Sequence, residues 1–121
     1  MGKTTIKTST NEILLWENPS PWSTFGAQTI SVPNINKYNF IKVKTKVYGT
    51  TIIDIVQRNG SGEQTLAYCT SNTLYRTMRV NTDETITFSA GTLFIAYNGQ
   101  SGQTNNDIMV PYQIYGIINM N

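Results

Sequence analysis

The sequence predicts an all-β domain, an antiparallel β-sandwich of jelly-roll type. Its 121 residues fit one domain, and a chain of this length buries a core without disulfides. Thr, Ile and Tyr are plentiful whereas Ala and Leu are scarce, and branched and aromatic side chains suit a pleated sheet better than a helix. Turn residues divide the chain into about eight or nine short strands, which is the spacing of sandwiches and barrels.

The first strands flank a stretch with two prolines. A short apolar strand is predicted at 13–16, and Pro19 and Pro21 then impose an extended path, because each proline moves the preceding residue out of helical geometry. Further strands are predicted at 27–32 and 40–47. The last of these alternates apolar or branched residues with lysines: Ile41, Lys42, Val43, Lys44, Thr45, Lys46 and Val47. This pattern predicts one buried face and one wet face, whose lysines would discourage edge-to-edge aggregation.

Hairpins and strands are predicted for the rest of the chain. The segments 52–58 and 63–70 flank Asn59-Gly60-Ser61-Gly62, a strong hairpin signal. The hairpin accounts for these residues without the glycosylation sequon that they also form. The remaining predicted strands are 74–80, 85–89 (Ile86 and Phe88 inward), 93–97 and 108–118, with a polar loop at 98–106.

Two of these strands are apolar on both faces. They are 93–97 and 108–118, and such strands need cover on both sides. One sandwich covers one face of each sheet, so a neighbouring copy of the chain is the expected second cover. Pro111 lacks an N–H and is therefore expected at a strand start or on an edge.

Charge and composition exclude several kinds of function. The formal net charge of +2 is too small for a nucleic-acid footprint, and no apolar run is long enough to span a bilayer. The chain has no histidine, which argues against general acid–base catalysis and zinc binding. Cys69 is the only cysteine, so an internal disulfide is impossible, and we expect it to be buried. No enzyme activity, cofactor or metal is expected.

The acidic residues offer little chemistry. Most of them fall on predicted turns, and the sequence identifies no two of them as the pair of catalytic carboxylates that a glycosidase needs. Asp54 shares parity with Ile52 and Val56, which predicts an inward carboxylate paired with Arg76 or Arg79. Oxygen ligands at 105–107 suit calcium, but no complete loop motif is present and a solvated turn is favoured.

The candidate ligand-binding residues are polar or aromatic and lie in predicted loops. Trp22 follows a proline in a polar loop, where its ring is either a platform for a sugar or a plug that caps the sandwich. Loop position and polarity select the candidates Trp22, Tyr48, Asn98, Gln100, Gln103, Asn105, Asn106 and Asp107. A neutral polar surface of this kind suits sugars, whose hydroxyls pair with amides and hydroxyls.

Two segments resemble a known family. Leu14-Leu15-Trp16-Glu17-Asn18-Pro19-Ser20-Pro21, followed by Phe25-Gly26-Ala27-Gln28-Thr29-Ile30, resembles the opening of a C-terminal domain of phage tail and tail-fibre proteins. Val110-Pro111-Tyr112-Gln113-Ile114-Tyr115-Gly116-Ile117 resembles the ending of the same domain. The motifs bracket nearly the whole chain and carry no binding residues of their own.

The resemblance implies a receptor-binding head domain. It implies a homotrimeric β-sandwich at the tip of a phage or prophage-derived tail, made in the host cytoplasm and then part of the virion, that attaches to a bacterial surface receptor, often a saccharide. An upstream fibre stalk is the implied partner, with no nucleic acid and no membrane insertion. Residues 1–11 are then a flexible lead-in or stalk remnant, and 12–121 form the head. Two alternatives remain: a structural fibre or adhesin trimerisation module without a ligand, and a depolymerase fragment, which the missing histidine and small size disfavour.

Overall fold

The fold is a two-sheet antiparallel β-sandwich, as predicted. A computed structural model describes residues 11–60, 62–95 and 102–118. The strands are β1 Glu12–Glu17, β2 Gln28–Ser31, β3 Phe40–Tyr48, β4 Thr51–Arg58, β5 Glu63–Cys69, β6 Asn72–Val80, β7 Thr85–Phe88, β8 Thr92–Ile95, β9 Gln103–Thr104 and β10 Val110–Ile117, with a 3-10 helix at Ile35–Lys37. The lead-in predicted at 1–11 lies outside the described residues except for Asn11.

The first sheet has the order β1-β10-β3-β4. The first and last strands are neighbours, with Glu12 opposite Ile117. The lysine-bearing strand β3 lies between β10 and β4, so the prediction that its lysines protect a sheet edge is wrong. Pro111 is the second residue of β10, next to a bulge, which confirms its placement at a strand start.

The second sheet is built around β6. Strand β5 pairs along β6 on one side, while β7 and β8 share the other side, β7 at Met78–Val80 and β8 at Asn72–Tyr75. Strand β2 extends the sheet beyond β7, and β9 extends it beyond β8. The two-residue β9 corrects the prediction of an unbroken loop at 98–106, because Gln103 folds back opposite Leu93.

The core lies between the two sheets. Ile41, Val43, Thr45 and Val47 are buried, which confirms the predicted inward face of β3, and Ile86 and Phe88 are buried as predicted. The prediction of a wet opposite face is wrong at Lys46, which is also buried. Aromatic rings link the sheets: Phe25 packs edge-to-face on Phe88 with centroids 5.5 Å apart and on Trp16 at 6.4 Å. Such pairs stabilise a core beyond the area that they bury.

Two sequence predictions about side-chain direction are wrong. Asp54 points outward and is 45% exposed; its partners are Lys44 at 3.2 Å and Lys42 at 3.9 Å. Ile52 and Val56 share its face, as the parity predicted, but that face is the outer one. Cys69 is exposed rather than buried. Leu66 on the same strand points inward, and because side chains alternate along a strand, Cys69 three positions later points outward.

Candidate functional site

The stretch with two prolines is fastened to the last strand through Asn18. This residue is buried, its Nδ2 donates to the Pro111 carbonyl at 2.9 Å, and its backbone N–H donates to the Tyr112 carbonyl at 2.9 Å. Its Oδ1 accepts from the Ser20 N–H at 2.8 Å, which closes an Asx turn. The bend is therefore fixed at its base, and it holds Trp22 at the surface.

Trp22 is an exposed ring on a built support. Its side chain is 57% exposed, its ring lies 6.1 Å from that of Tyr112 at an interplanar angle of 51°, and Lys46 Nζ is 5.6 Å from its centroid. We call Trp22, Tyr112 and Lys46 the ring platform. An aromatic surface that is already held in place loses little conformational entropy when a ligand stacks on it.

The ammonium of Lys46 differs from the other two lysines of β3. Lys42 lies 2.8 Å from Glu12 and Lys44 lies 3.2 Å from Asp54. Lys46 is 6% exposed and donates to the Asp107 carbonyl at 3.5 Å, and within the described ranges it forms no ion pair. The ring platform therefore carries a positive charge that no protein carboxylate neutralises there.

The predicted site residues at 105–107 mainly shape the loop beside this platform. Asn105 Oδ1 accepts from the Asp107 N–H at 3.0 Å, and the Asn105 N–H donates to the Gly91 carbonyl at 2.8 Å. Asn106 Oδ1 accepts from the Gly91 N–H at 3.2 Å, and its carbonyl accepts from the Phe25 N–H at 2.9 Å. These bonds use the single side-chain oxygen, Oδ1, of both Asn105 and Asn106.

The other predicted site residues lie away from the ring platform or outside the residues that the structure describes. Tyr48 is 46% exposed and packs edge-to-face on Tyr68 at 6.4 Å, so it belongs to a different ring pair from Trp22. Gln103 is exposed in β9. Asn98 and Gln100 lie outside the described residues.

Arg76 is a buried residue whose role the sequence did not indicate. Its guanidinium is fully buried and donates to three backbone carbonyls, those of Met109 (2.8 Å), Ser89 (2.7 Å) and Ile108 (3.0 Å). It also lies 5.2 Å from the Phe25 ring. In the part of the chain that the structure describes it has no carboxylate partner, and burial lowers its pKa to about 10. Arg76 thus ties the segment before β10 to the second sheet.

Lys46 and Tyr112 were missed because their signals are non-local. Lys46 reads as one of three solvated lysines, and Tyr112 as an apolar residue of the last strand. Only the bulge in β10 after Pro111 and the antiparallel register with β3 bring them together under Trp22.

The described residues contain no group of three or more His, Cys, Asp or Glu side chains arranged to hold a metal ion. No helix among them is long and apolar enough to cross a membrane. Comparison of the chain with protein-family models, with curated proteins and with solved structures finds no match.

Proposed function

We propose that this chain is the receptor-binding head domain of a phage or prophage-derived tail fibre, which attaches to a saccharide on the bacterial surface through the ring platform. The observation that carries the proposal is Trp22, an exposed indole held against Tyr112 beside the ammonium of Lys46. Sugar rings present C–H faces that pack on aromatic rings, and the surrounding hydrogen-bonding groups fix their orientation.

The packing of the two family-like segments supports this assignment. The opening segment forms β1 and the following bend, the closing segment forms β10, and the two strands pair along their length. Asn18, in the Asn-Pro of the opening segment, donates hydrogen bonds to the carbonyls of Pro111 and Tyr112 in the closing segment. Gly116 is also required, because a Cβ there would lie 2.5 Å from the Tyr38 ring. One packing unit therefore accounts for residues in both segments, which explains why they occur together.

The charge of the platform indicates which saccharides it prefers. A cation without a protein carboxylate beside a stacking surface favours a ligand with its own anionic group. The preferred receptor under this proposal is a saccharide with a carboxylate or a phosphate near the stacked ring. Because Lys46 is buried, added salt should weaken binding only slightly.

Self-association is part of the proposal. Ile13 (43% exposed), Leu14 (46%) and Ile118 (38%) are exposed along the outer strand β1 and just after the adjoining end of β10, and we call them the apolar edge. Ile13 and Leu14 are consecutive, so they lie on opposite faces of the strand. Strand β1 is the outer strand of its sheet, with one row of backbone groups unpaired in that sheet. An exposed apolar strand edge is a natural place for another copy to pack. A homotrimer joined there, carried on an upstream stalk, is the assembly that we propose.

The test compares Trp22→Ala with Val56→Ala. Both side chains are large, apolar and exposed, and Val56 lies on β4 away from the platform. The labelled protein is screened on bacterial glycans and on a panel of bacterial cells. We expect wild type and Val56→Ala to bind equally and Trp22→Ala to bind about tenfold more weakly, which corresponds to ~1.4 kcal/mol.

Other outcomes distinguish the alternatives. Absence of binding by wild-type protein to every glycan and cell type, with the oligomer intact, would favour the structural module without a ligand. Equal binding by Trp22→Ala would move the site away from the ring platform. Release of reducing sugar ends from a bound polysaccharide would establish an enzyme and overturn the proposal.

A further inference from the structure

A groove lies at the opposite end of β3 from the ring platform. It is an open depression of about 250 Å³, formed where the 3-10 helix passes over the end of the sandwich, beside the start of β3, the end of β4 and the turn after β6. Amide and hydroxyl side chains line most of it: Asn36, Tyr38, Asn39, Asn59, Asn81 and Thr82. We call it the amide groove.

The walls of the amide groove are held by hydrogen bonds within the protein. Asn59 Nδ2 donates to the Ile35 and Tyr38 carbonyls, each at 2.8 Å, and so fixes both ends of the helical turn. Asn36 Nδ2 donates to the Thr82 carbonyl at 3.0 Å, which joins the two sides of the groove. A site preformed in this way spends little binding free energy on ordering its walls.

At Asn59 and Asn81 the hydrogen-bonding capacity that remains is for accepting. Both Nδ2 hydrogens of Asn59 are used, and Asn81 Nδ2 donates to Thr85 Oγ1 at 2.9 Å and Thr87 Oγ1 at 3.0 Å. Each of these amides therefore has its Oδ1 left as an acceptor, because an amide carries two N–H donors and one carbonyl. A ligand that pairs with these two amides supplies O–H or N–H donors, and the Asn39 amide and the Tyr38 and Thr82 hydroxyls can in turn donate to its oxygens.

Charge and size narrow the ligand further. None of the residues that line the groove carries a charge, and its apolar contribution comes from Val80 and the Tyr38 ring. An ionic ligand would lose hydration there without gaining a counter-ion. The volume lies just below the ~300 Å³ at which ligand pockets usually begin, which suits one small ring rather than an extended chain.

We propose that the amide groove binds a single neutral sugar ring, whose hydroxyl groups donate to the asparagine Oδ1 atoms. This is a second binding site, with a ligand chemistry different from that of the ring platform. Its ligand is uncharged and pairs through its hydroxyls, whereas the platform stacks a ring and attracts an anion. The inference stands on the groove alone and does not require the platform to bind.

The experiment titrates the whole chain with methyl glycosides and follows backbone amide chemical shifts. The probes are neutral methyl glucoside, methyl mannoside and methyl N-acetylglucosaminide, with methyl glucuronide as the charged counterpart. Thr82→Trp fills the groove, and Thr65→Trp places the same ring on the exposed face of β5 as a matched control. Should Thr82→Trp fail to fold, Asn39→Trp blocks the same groove from its other side, where the side chain is exposed.

We expect at least one neutral glycoside to shift the amides of Asn36, Asn59 and Asn81 in wild type and in Thr65→Trp. The blocked variant should bind at least tenfold more weakly, and Trp22→Ala should behave as wild type. Absence of groove shifts with every neutral glycoside overturns the inference. Equal shifts in the blocked variant, or tighter binding of the glucuronide, also overturn it. Loss of platform binding in Trp22→Ala with groove shifts retained would show that the two sites are independent.

Discussion

Arg76→Met should destabilise the domain by about 1.5–6 kcal/mol. The substitution keeps an apolar stem of similar length but removes the donors to the carbonyls of Met109, Ser89 and Ile108. Ile108 and Met109 are buried, so the carbonyls on that segment lose a partner that water replaces poorly. The segment before β10 would then be released from the second sheet.

The magnitude is a difference between two opposing contributions. Hydrogen bonds to a charged donor stabilise by about 1.5–3 kcal/mol each, hence roughly 4.5–9 kcal/mol for three. Burial of the guanidinium lowers its pKa from the ordinary value of an arginine to about 10, which corresponds to a cost of roughly 3 kcal/mol that the methionine avoids. The balance remains destabilising.

Urea unfolding followed by tryptophan fluorescence measures the change, with Arg79→Met as the matched control. Arg79 lies on the same strand but is exposed, so its replacement should change the free energy of unfolding by no more than about 0.5 kcal/mol. If the two variants were equally stable, the three carbonyls would not depend on Arg76 and the reasoning would fail.

The same residue predicts the sign of a pH effect. Because the folded pKa of Arg76 is below the unfolded one, the unfolded chain binds more protons as the pH rises above about 10, and stability from this group rises with pH there. Wild type should therefore gain ~1.4 kcal/mol over Arg76→Met on going from neutral pH to pH ~11. The two proteins differ in no other ionisable group, so the difference between them isolates Arg76. A difference that stayed constant or shrank would contradict the assigned shift.

Two further predictions concern a close backbone contact and the apolar edge. A Cβ on Gly91 would collide with the Asn105 carbonyl, so Gly91→Ala should lower the free energy of unfolding by roughly 1–3 kcal/mol in a urea titration. Gly60→Ala, where a Cβ meets no atom within 4 Å, should be nearly neutral; similar losses in both would refute the explanation. Leu14→Lys should shift sedimentation towards the monomer whereas Val56→Lys should not, and a monomeric wild type would rule out association at this edge.

Sequence periodicity predicted the buried face of a strand wherever apolar and charged residues alternate along that strand. The alternation of Ile41 and Val43 with lysines identified the buried face of β3 without further information. Strand β4 lacks that contrast, since Ile52 and Val56 flank Asp54 on the outer face. Their cross-strand partners are lysines, whose aliphatic stems cover apolar neighbours. The two-residue spacing correctly predicted that Ile52, Asp54 and Val56 share one face of β4. Only the pairing with β3 shows that this face is the outer one.

The candidate site was predictable only in part, because its geometry depends on contacts between distant segments. Trp22 was identified from a local signal, an aromatic residue after a proline in a polar loop. Lys46 and Tyr112 join it only through the pairing of β3 with β10. Arg76 is bonded to carbonyls 13, 32 and 33 positions away, and no residue type in the sequence marks a carbonyl as an acceptor. The prediction that Asp54 forms an ion pair with Arg76 or Arg79 was therefore wrong.

The pairing of β1 with β10 has a consequence for how the chain folds. The paired residues are roughly 100 positions apart, and closing so large a loop costs entropy before any bond repays it. At ~5–20 residues per second, β1 leaves the ribosome roughly 5–20 s before its partner is made. During that interval Leu15 and Trp16 have no final place to pack. Strand β1, although it is made before β2 to β10, must therefore be among the last of these strands to dock, and Asn18 completes the structure only after Pro111 and Tyr112 have arrived.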